Sequence, residues 1–373
     1  MNTNIFEFAR PEVPPLPPYN AGLSSEVVRA RYRVERVARL ASNENPYGAS
    51  PAVAKALSGL APDVGNYPDA QCTALRAAIA DRFYVEPSQI VVGNGSEDIL
   101  RMLCLAFLSS GERVLTQRPA FGLHEIYPRM MGAQVEMVSL TPELGFDVDS
   151  WCAALACGPK LAMIANPSNP VGCMFDADAF VRLLDAASPS TLLVIDEAYW
   201  EYAQREDGFP DALALLRGRR QPWMVLRTFS KAWGLAGLRV GYGIASDSEL
   251  IQIVDRVRTP FNVNRAAQSG ALAAWGDEAH MDRAVTETIR CREVLRAGVH
   301  RLGLSVAPSA ANFLFIDLGR SNGPVHEALL ARGIIIKPWK DEGYESFIRV
   351  SVGTPDDNEH FLAALREVLG KAD

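Results

Sequence analysis

The feature that most constrains this chain is a repeated alternation between short, continuously apolar runs and segments of helical length. Runs such as "KLAMIA" and "TLLVID" carry almost no polar residue that would mark one face as solvent-exposed. Strands that are apolar along their whole length occur where helices cover both faces of a sheet. Their alternation with helices is typical of α/β proteins. We therefore expect an α/β fold with a mostly parallel central sheet sandwiched by helices.

Polar turns follow these runs directly, in the stretches "GNGSED", "NPSNPVG", "DEAY" and "TFSK". In open parallel sheets, ligands bind just beyond the carboxyl ends of the strands. Because all four turns take that position, we expect them to meet along one edge of the sheet and to form a binding site.

The alternation of apolar runs and helical segments changes after about residue 250. One long helical stretch is predicted at roughly 264–302, followed by strands in "ANFLFIDL", "GIIIKPW" and "FIRVSVG". The first residues are rich in proline, which excludes regular helix, and they are interpreted as an arm. We expect an N-terminal arm at 1–45 that joins the small domain, a large ligand-binding domain at 46–265 and a small α/β domain at 266–373.

Composition limits the class of partner. The chain has 373 residues and a net charge of −7, which argues against general nucleic-acid binding. No basic segment followed by an apolar one marks a secretory signal, and no apolar run has the length of a membrane span, so a cytoplasmic protein is expected. The cysteines form no C-x-x-C pair and no zinc-like spacing with histidine, so no metal is expected.

The turn "GNGSEDIL" places Gly93 and Gly95 just before a predicted helix. A helix N-terminus with exposed N–H groups binds phosphate, and Ser96 is expected to cap this helix. A dinucleotide-binding loop is the rival interpretation, but its third glycine position holds Asp98. Taken alone, the turn is also compatible with a plain helix cap.

Two further polar residues stand at strand ends. Asp196 ends a buried strand, where a carboxylate is costly unless a cation or a donor pairs with it. Asn169 lies in a turn bounded by two prolines, which can present its amide rigidly. Each also has a simpler explanation, Asp196 as a helix cap and Asn169 as part of an Asn-Pro turn.

The stretch "RTFSKAWGLAGLRVGYG" holds a single lysine, Lys231, in small and apolar company. A surface turn beside a core element is one explanation. The other is chemical, because a lysine amine with a lowered pKa forms a Schiff base with a carbonyl compound. Pyridoxal phosphate uses such a lysine and needs an acidic partner for its ring nitrogen. Asp196, at the same predicted sheet edge, can be that partner.

Several of these motifs resemble known proteins. "SKAWGLAGLRVGY" is similar to the lysine signature of the class I/II aminotransferases, which have fold type I of the pyridoxal-phosphate enzymes. "NPSNPVG" and "DEAYWEY" resemble two further blocks of that superfamily, in the same order. More narrowly, "LASNENPYGASP", "NYPD", "VVGNGSEDIL" and "IRVSVGTPDDNEHFLAAL" resemble the histidinol-phosphate aminotransferases. The resemblance runs from about residue 16 to the C-terminus.

The resemblance implies a role for each matching residue. Lys231 would hold the cofactor covalently and then move a proton. Asp196 would keep the ring nitrogen protonated, while Asn169 and Tyr199 would bond the ring oxygen and hold down the pKa of the lysine linkage. The other implied cofactor-binding residues are Gly95, Ser96, Glu97, Thr228, Ser230 and Arg239 at the phosphate, Phe121 stacked on the ring, and Tyr67 from the second subunit of a homodimer with shared active sites. The implied substrate-binding residues are Tyr19, Asn43, Lys337 and Arg349.

Three positions depart from the common pattern of these relatives. Phe121 stands where many have tyrosine, so stacking is kept and a hydroxyl is lost. Lys337 stands where an arginine often helps to bind the substrate phosphate, and lysine keeps the charge without the fork. His124 replaces a frequent tyrosine and is expected to form a wall of the pocket rather than to act as a catalyst.

The resemblance implies a pyridoxal-phosphate-dependent aminotransferase of histidine biosynthesis, acting on L-histidinol phosphate and 2-oxoglutarate to give imidazole-acetol phosphate and L-glutamate. An aromatic amino-acid aminotransferase or a phospho-amino-acid decarboxylase of the same fold is the alternative, because Lys337 lies where the substrate is often decided. A non-catalytic pyridoxal-binding regulator is disfavoured by the short proline-rich arm and the negative charge. A nicotinamide-dependent dehydrogenase is disfavoured by the glycine spacing.

Overall fold

The computed structural model describes residues 4–18 and 22–370, which form strands, helices and three short 3₁₀ turns. The strands are β1 (Ala38–Arg39), β2 (Ile90–Gly93), β3 (Arg113–Arg118), β4 (Gln134–Ser139), β5 (Leu161–Ala165), β6 (Leu192–Asp196), β7 (Trp223–Thr228), β8 (Gly241–Ala245), β9 (Ser305–Val306), β10 (Phe313–Asp317), β11 (Ile334–Ile335), β12 (Lys337–Pro338) and β13 (Phe347–Ser351).

The helices precede, separate and cover these strands. They are α1 (Ile5–Phe8), α2 (Ser25–Tyr32), α3 (Pro51–Ser58), α4 (Thr73–Phe83), α5 (Ser96–Phe107), α6 (Leu123–Met130), α7 (Val148–Ala156), α8 (Ala177–Ala186), α9 (Trp200–Ala203), α10 (Ala212–Leu216), α11 (Ser248–Val257), α12 (Arg265–Trp275), α13 (Glu278–Arg301), α14 (Asn322–Leu330) and α15 (Pro355–Val368). No helix within the described ranges is long and apolar enough to cross a membrane.

The central sheet has seven strands in the order β2-β8-β7-β6-β5-β3-β4. The five strands from β7 to β4 pair in parallel, which confirms the predicted architecture. Strand β8 is the exception, because it runs antiparallel to both β7 and β2. It returns from β7 through a loop whose only helical part is the 3₁₀ turn Ala236–Leu238, whereas a parallel crossover needs a longer connection, usually a helix.

Alternate residues of the central strands enter two different cores. Ile195 and Val225 face one apolar cluster, while their neighbours Val194 and Met224 face the other. Both faces are therefore covered, as the continuously apolar strands predicted. Burial on both sides leaves the ends of the strands as the place where polar side chains from this sheet can gather.

The register of the sheet places these ends together. Ala165 at the end of β5 pairs with Asp196 at the end of β6, and Thr228 at the end of β7 pairs with Gly241 at the start of β8. Gly241 also pairs with Gly93 at the end of β2. The predicted meeting of the four polar turns at one edge is confirmed.

A smaller set of strands lies C-terminal to this sheet. Strands β12, β13, β10 and β9 form a four-stranded antiparallel sheet, and β13 carries Arg349 beside Lys337 of β12. Strand β1 pairs in parallel with β11, so Ala38 lies opposite Ile334. The segment that follows β1 is thereby held close to β13, because Ser351 N donates to Leu40 O.

Local predictions failed at two places. The stretch predicted as one helix at 264–302 is two helices, α12 and α13, because the chain breaks at Gly276 and Asp277 caps α13 through the backbone N–H of His280. The proline-rich arm was expected to contain no helix, yet Ile5–Phe8 form one turn capped by Asn4, ahead of the first proline.

The six cysteines, which show no paired or zinc-like spacing in the sequence, are all described by the structure. All six are unpaired in the structure, and only Cys157 is exposed. None of the six lines the cavity described below.

Candidate active site

A cavity of about 610 Å³ opens at the edge of the central sheet where the polar turns meet. The predicted site residues that line it are Asn43, Gly95, Ser96, Glu97, Phe121, Asn169, Asp196, Tyr199, Thr228, Ser230, Lys231, Arg239, Lys337 and Arg349. Tyr67 does not line it, and Tyr19 falls outside the described residues. The residues come from strand ends of both sheets and from the segment after β1.

Lys231 lies three residues beyond the end of β7, and its side chain reaches into the cavity wall. Its Nζ donates to the backbone carbonyl of Ser42 at 2.8 Å. Burial and, to a smaller extent, the nearby positive charge of Arg349 lower the pKa of the Lys231 amine to about 7, against the opposing effect of Glu44. An amine with this pKa is about half uncharged at pH 7 and largely uncharged above it, so it can act as a nucleophile or a base.

Asp196 lies below the cavity, at the end of β6, with little of its side chain exposed. Its Oδ1 accepts from the backbone N–H of Ala198 at 3.1 Å, and its Oδ2 lies 3.0 Å from Nε2 of His124. The carboxylate is therefore anchored on one side by the backbone and on the other by an imidazole. This arrangement aims an acidic group at the cavity without leaving it unpaired.

The prediction that His124 forms a wall of the pocket is wrong. His124 is fully buried on α6, behind Asp196, and it does not line the cavity. Its ring packs edge-on against Phe121, with 5.7 Å between the ring centroids. Phe121 lies two residues before the start of α6 and its carbonyl accepts from the backbone N–H of His124, so one short segment carries both the ring that lines the cavity and the imidazole that pairs with Asp196.

Asn169 and Tyr199 face the cavity from different loops. The Asn169 Oδ1 accepts from Nη1 of Arg349 at 2.6 Å, and the Tyr199 hydroxyl accepts from Nδ2 of Asn43 at 2.9 Å. Nη2 of Arg349 donates to the carbonyl of Ala41 at 2.6 Å. These bonds join the large sheet, the small sheet and the segment after β1 around one space.

The other end of the cavity is the N-terminus of α5. Gly95 is the N-cap residue with φ +85°, and Ser96 is the first residue of the helix, so the prediction that Ser96 caps it is wrong. The N–H groups of the first helical turn have no partner within a helix, and they favour an anion. A Cβ on Gly95 would lie 2.6 Å from Nη2 of Arg239, and one on Gly241 would collide with the backbone N of Ser96. Bare backbone is therefore required here.

Hydroxyl and guanidinium groups surround that helix end. The Thr228 hydroxyl donates to the Ser230 hydroxyl at 3.0 Å and accepts from the Ser230 N–H at 3.1 Å. Arg239 Nη2 forms an ion pair with Glu97 at 3.3 Å. Together with the bare helix N-terminus, these groups form a site suited to a phosphate group.

A second group of cations lines the cavity on the side of the small sheet. Lys337 is half-buried, and burial lowers the pKa of its amine, with Arg349 and Lys340 contributing in the same direction. Arg118 lines the same mouth and forms an ion pair with Glu342 at 3.4 Å. This end therefore favours an anionic substrate.

Comparison with known proteins agrees with this geometry. The family model "Aminotransferase class I and II" matches residues 35–365.

The chain belongs to the class I and II aminotransferases.

Two relatives of this aminotransferase are both named histidinol-phosphate aminotransferase. It is 47% identical to "Histidinol-phosphate aminotransferase 3" of Rhizobium meliloti, with 96% of this chain and 97% of the relative covered. It is 45% identical to "Histidinol-phosphate aminotransferase 1" of Mesorhizobium japonicum, with 97% and 99% covered. Among solved structures, a histidinol-phosphate aminotransferase from Sinorhizobium meliloti in complex with pyridoxal-5'-phosphate matches with a TM-score of 0.88, 28% identity and coverage of 96% and 97%.

Some residues that line the site of this aminotransferase were not anticipated from the sequence. They are the backbone of Ala41 and Ser42 and the side chains of Arg118, Glu125, Arg129, Trp339, Lys340 and Asp341. The carbonyls of Ala41 and Ser42 carry no signal in the sequence, because any residue supplies them. Arg118 directly precedes "PAF", so its position at the end of β3 was a signal that could have been used.

Proposed function

We propose that this aminotransferase transfers the amino group of L-histidinol phosphate to 2-oxoglutarate, with pyridoxal 5'-phosphate as cofactor, in the biosynthesis of histidine. The observation that carries the proposal is the Lys231 amine, whose pKa is lowered to about 7, in one cavity with Asp196. The names of relatives at 45–47% identity over nearly the whole chain support the substrate.

The residues fit the cofactor by charge and by shape. Gly95, Thr228, Ser230 and Arg239 would hold its phosphate at the start of α5, where a Cβ on Gly95 would obstruct the guanidinium. Phe121 would cover the ring. When bound, the cofactor supplies an aldehyde carbon for an amine and a protonated ring that accepts electrons.

The other residues act as acids, bases and donors. Asp196 would hold a proton on the ring nitrogen, since an anchored carboxylate stabilises a neighbouring cation. Asn169 and Tyr199 would bond the ring oxygen. Lys231 Nζ, which is largely uncharged above neutral pH, would accept the proton from the α-carbon of the amino donor and return it later in the exchange.

The substrate end would bind anions. Arg349 offers a planar fork that suits a carboxylate or a phosphate, and Lys337 and Lys340 add point charges next to it. Both amino donor and oxo acid would use this end in turn, because the two half-reactions share one site. Asn43 and Tyr19 are proposed to belong to the substrate side as well.

We also propose a homodimer with shared sites and the three-part organisation at 1–45, 46–265 and 266–373. Tyr67 is 77% exposed, stacks on Phe261 with 4.4 Å between the ring centroids, and lies outside the cavity of its own chain. An exposed aromatic pair of this kind supports burial against a second subunit. Tyr67 would then reach the phosphate site of the partner.

A panel of amino donors tests the substrate. L-histidinol phosphate, L-phenylalanine and L-tyrosine are each assayed with 2-oxoglutarate, and the formation of L-glutamate is measured, with Lys231→Ala as the inactive control. We expect kcat/KM to be at least tenfold higher with histidinol phosphate, because only that donor carries a phosphate for the cationic end. Equal or higher rates with the aromatic amino acids, or release of carbon dioxide from a phospho-amino acid, would support the alternatives instead.

A further inference from the structure

Asn43 occupies an unusual position between the two sheets. It is 1% exposed and has φ +55°, which places a non-glycine residue in the left-handed region. Its Nδ2 donates to the Tyr199 hydroxyl at 2.9 Å, its Oδ1 accepts from the Ser351 hydroxyl at 2.8 Å, and its carbonyl accepts from Asn312 at 3.0 Å. A buried amide with this many protein partners is held in one orientation.

The direction of these hydrogen bonds follows from the buried Ser351 hydroxyl. Its Oγ accepts from the backbone N–H of Asn43 at 2.8 Å. Because Ser351 is 2% exposed, its own proton needs a protein acceptor, and it donates to Oδ1 of Asn43 at 2.8 Å. The amide oxygen is thereby identified, so the amide nitrogen faces Tyr199. A hydroxyl that accepts from an amide nitrogen must direct its single proton elsewhere.

The same logic applies on the other side of the cavity. Arg349 can only donate, and its Nη1 bonds the Oδ1 of Asn169 at 2.6 Å, so the Asn169 Nδ2 is turned away from Arg349. Asn169 and Tyr199 both line the cavity. The Arg349 guanidinium therefore orients Asn169, and the Asn43 amide held by Ser351 orients Tyr199, so that both can act as donors toward the cavity.

We propose that Asn43 is a positioning residue that compels the Tyr199 hydroxyl to donate its proton to the ring oxygen of the bound cofactor, a proposal that rests on the function proposed above. A donor at that oxygen withdraws negative charge from it and lowers the proton affinity of the adjoining nitrogen of Lys231. Asn43 thus controls the charge of the reacting nitrogen through Tyr199 without contacting it. The charged groups that act on Lys231 from the surrounding elements are Arg349, Glu44, Arg239 and Asp196, and none of them is altered by a change at Asn43.

The test is the pH midpoint of the visible absorption band of the protein with pyridoxal phosphate bound. Asn43→Asp replaces the amide donor with a carboxylate acceptor. The Tyr199 hydroxyl would then donate its proton to the carboxylate and no longer to the ring oxygen of the cofactor. The midpoint is expected to rise by about one pH unit, since hydrogen bonds to charged groups are worth that order of proton affinity. Asn43→Gly suits the positive φ, adds no charge and is expected to raise the midpoint by a smaller amount in the same direction.

Two controls separate the effect of the Tyr199 hydrogen bond from the effect of the negative charge that an aspartate adds. In a Tyr199→Phe background, Asn43→Gly should leave the midpoint unchanged and Asn43→Asp should move it by less than half as much as in the parent. Asn45→Asp makes the same substitution two residues away, where the amide donates to the carbonyl of Ala232 at 2.8 Å. Any shift it causes should be the same with and without the Tyr199 hydroxyl.

Two results would overturn the inference while leaving the proposed function intact. One is a shift of the pH midpoint, caused by a substitution of Asn43, that is as large in the Tyr199→Phe background as in the parent. The other is a parent-like midpoint in both Asn43 variants. A parent protein that shows no visible band with pyridoxal phosphate would instead contradict the cofactor, and this inference with it.

Discussion

The groups around the Lys231 amine lower its pKa in the protein without any ligand bound. Burial and the charge of Arg349 lower its pKa to about 7, whereas unperturbed lysines have a pKa near 10.4. Its chemistry is therefore decided by the surroundings that fold around it, which come from residues as distant in sequence as Ser42 and Arg349. A lysine in an apolar stretch could be noticed in the sequence, and the resemblance placed Asp196, Arg239 and Arg349 at the same site. The contributions of burial and of Glu44 to the pKa could not be anticipated.

The first prediction concerns this pKa. In protein stripped of cofactor, reductive methylation of Lys231 should accelerate about tenfold per pH unit below pH 7 and level off above pH 8, because only the neutral amine reacts and its folded pKa is about 7. Peptide mass spectrometry measures the rate, with the exposed Lys55 of α3 as the reference peptide. A Lys231 profile that still rises between pH 8 and 10 would contradict the lowered pKa.

The second prediction concerns His124, whose Nε2 lies 3.0 Å from Asp196. His124→Phe should lower kcat/KM about tenfold or more, since it removes a hydrogen bond to a buried carboxylate, and bonds to charged groups are worth about 1.5–3 kcal/mol. His124→Asn retains a donor on a shorter side chain and should lose less. Steady-state kinetics and the melting temperature of both variants are compared, because equal losses in the two would indicate a packing effect only.

At the scale of elements, the order of strands and helices was largely predictable, because the spacing of apolar residues and the position of turn residues depend on local structure. The direction of β8 was not, since "GYGIA" is as apolar as its parallel neighbours. This direction matters for the site. In the parallel strands of the central sheet, the residues that line the cavity follow the end of the strand. Arg239 instead precedes β8, and it reaches the same edge of the sheet because β8 runs antiparallel to its neighbours.

Strand β4 escaped prediction for a related reason. "QVEMVS" alternates polar and apolar residues, and β4 forms the edge of the sheet, where full burial is not required. His124 was misjudged because its partner, Asp196, lies 72 residues away along the chain. In both cases the missing information was a tertiary contact, which periodicity does not contain.

The third prediction tests the bare backbone at the start of α5. Gly95→Ala would force a side chain into φ +85° and place its Cβ 2.6 Å from Arg239. We expect pyridoxal phosphate to bind at least tenfold more weakly, because left-handed strain costs about 1–3 kcal/mol and the guanidinium must move. The control is Gly237→Ala in the nearby 3₁₀ turn, where no atom lies within 4 Å of the added Cβ. Cofactor titration by absorbance measures both, and equal affinities would contradict the prediction.

At the scale of the whole molecule, the exposed pair of Tyr67 and Phe261 leads to a prediction about subunits. If Tyr67 completes the site of a partner, Lys231→Ala and Tyr67→Ala chains should complement each other. A mixed dimer then has one intact site, built from the Lys231 of one chain and the Tyr67 of the other. After unfolding and refolding an equal mixture, activity should recover to about a quarter of the parent value, since half of the dimers are mixed and each has one of two sites.

The control for complementation is each variant refolded alone, which should remain weakly active or inactive. A mixture whose activity only averages the two separate variants would contradict a shared site. Light scattering on the parent protein gives the mass in solution, and a monomer at assay concentration would contradict the proposed dimer directly.

The pairing of β1 with β11 also has a consequence for the time course of synthesis. Ala38 meets Ile334, a separation of 334 − 38 = 296 residues. At about 5–20 residues per second, the ribosome needs on the order of 15–60 s to supply that partner. The segment that receives Lys231 and Arg349 thus leaves the ribosome early and waits for nearly the entire chain. The cavity is consequently among the last parts of the nascent protein to assemble, and a chain arrested before residue 334 would lack it even if the central sheet had formed.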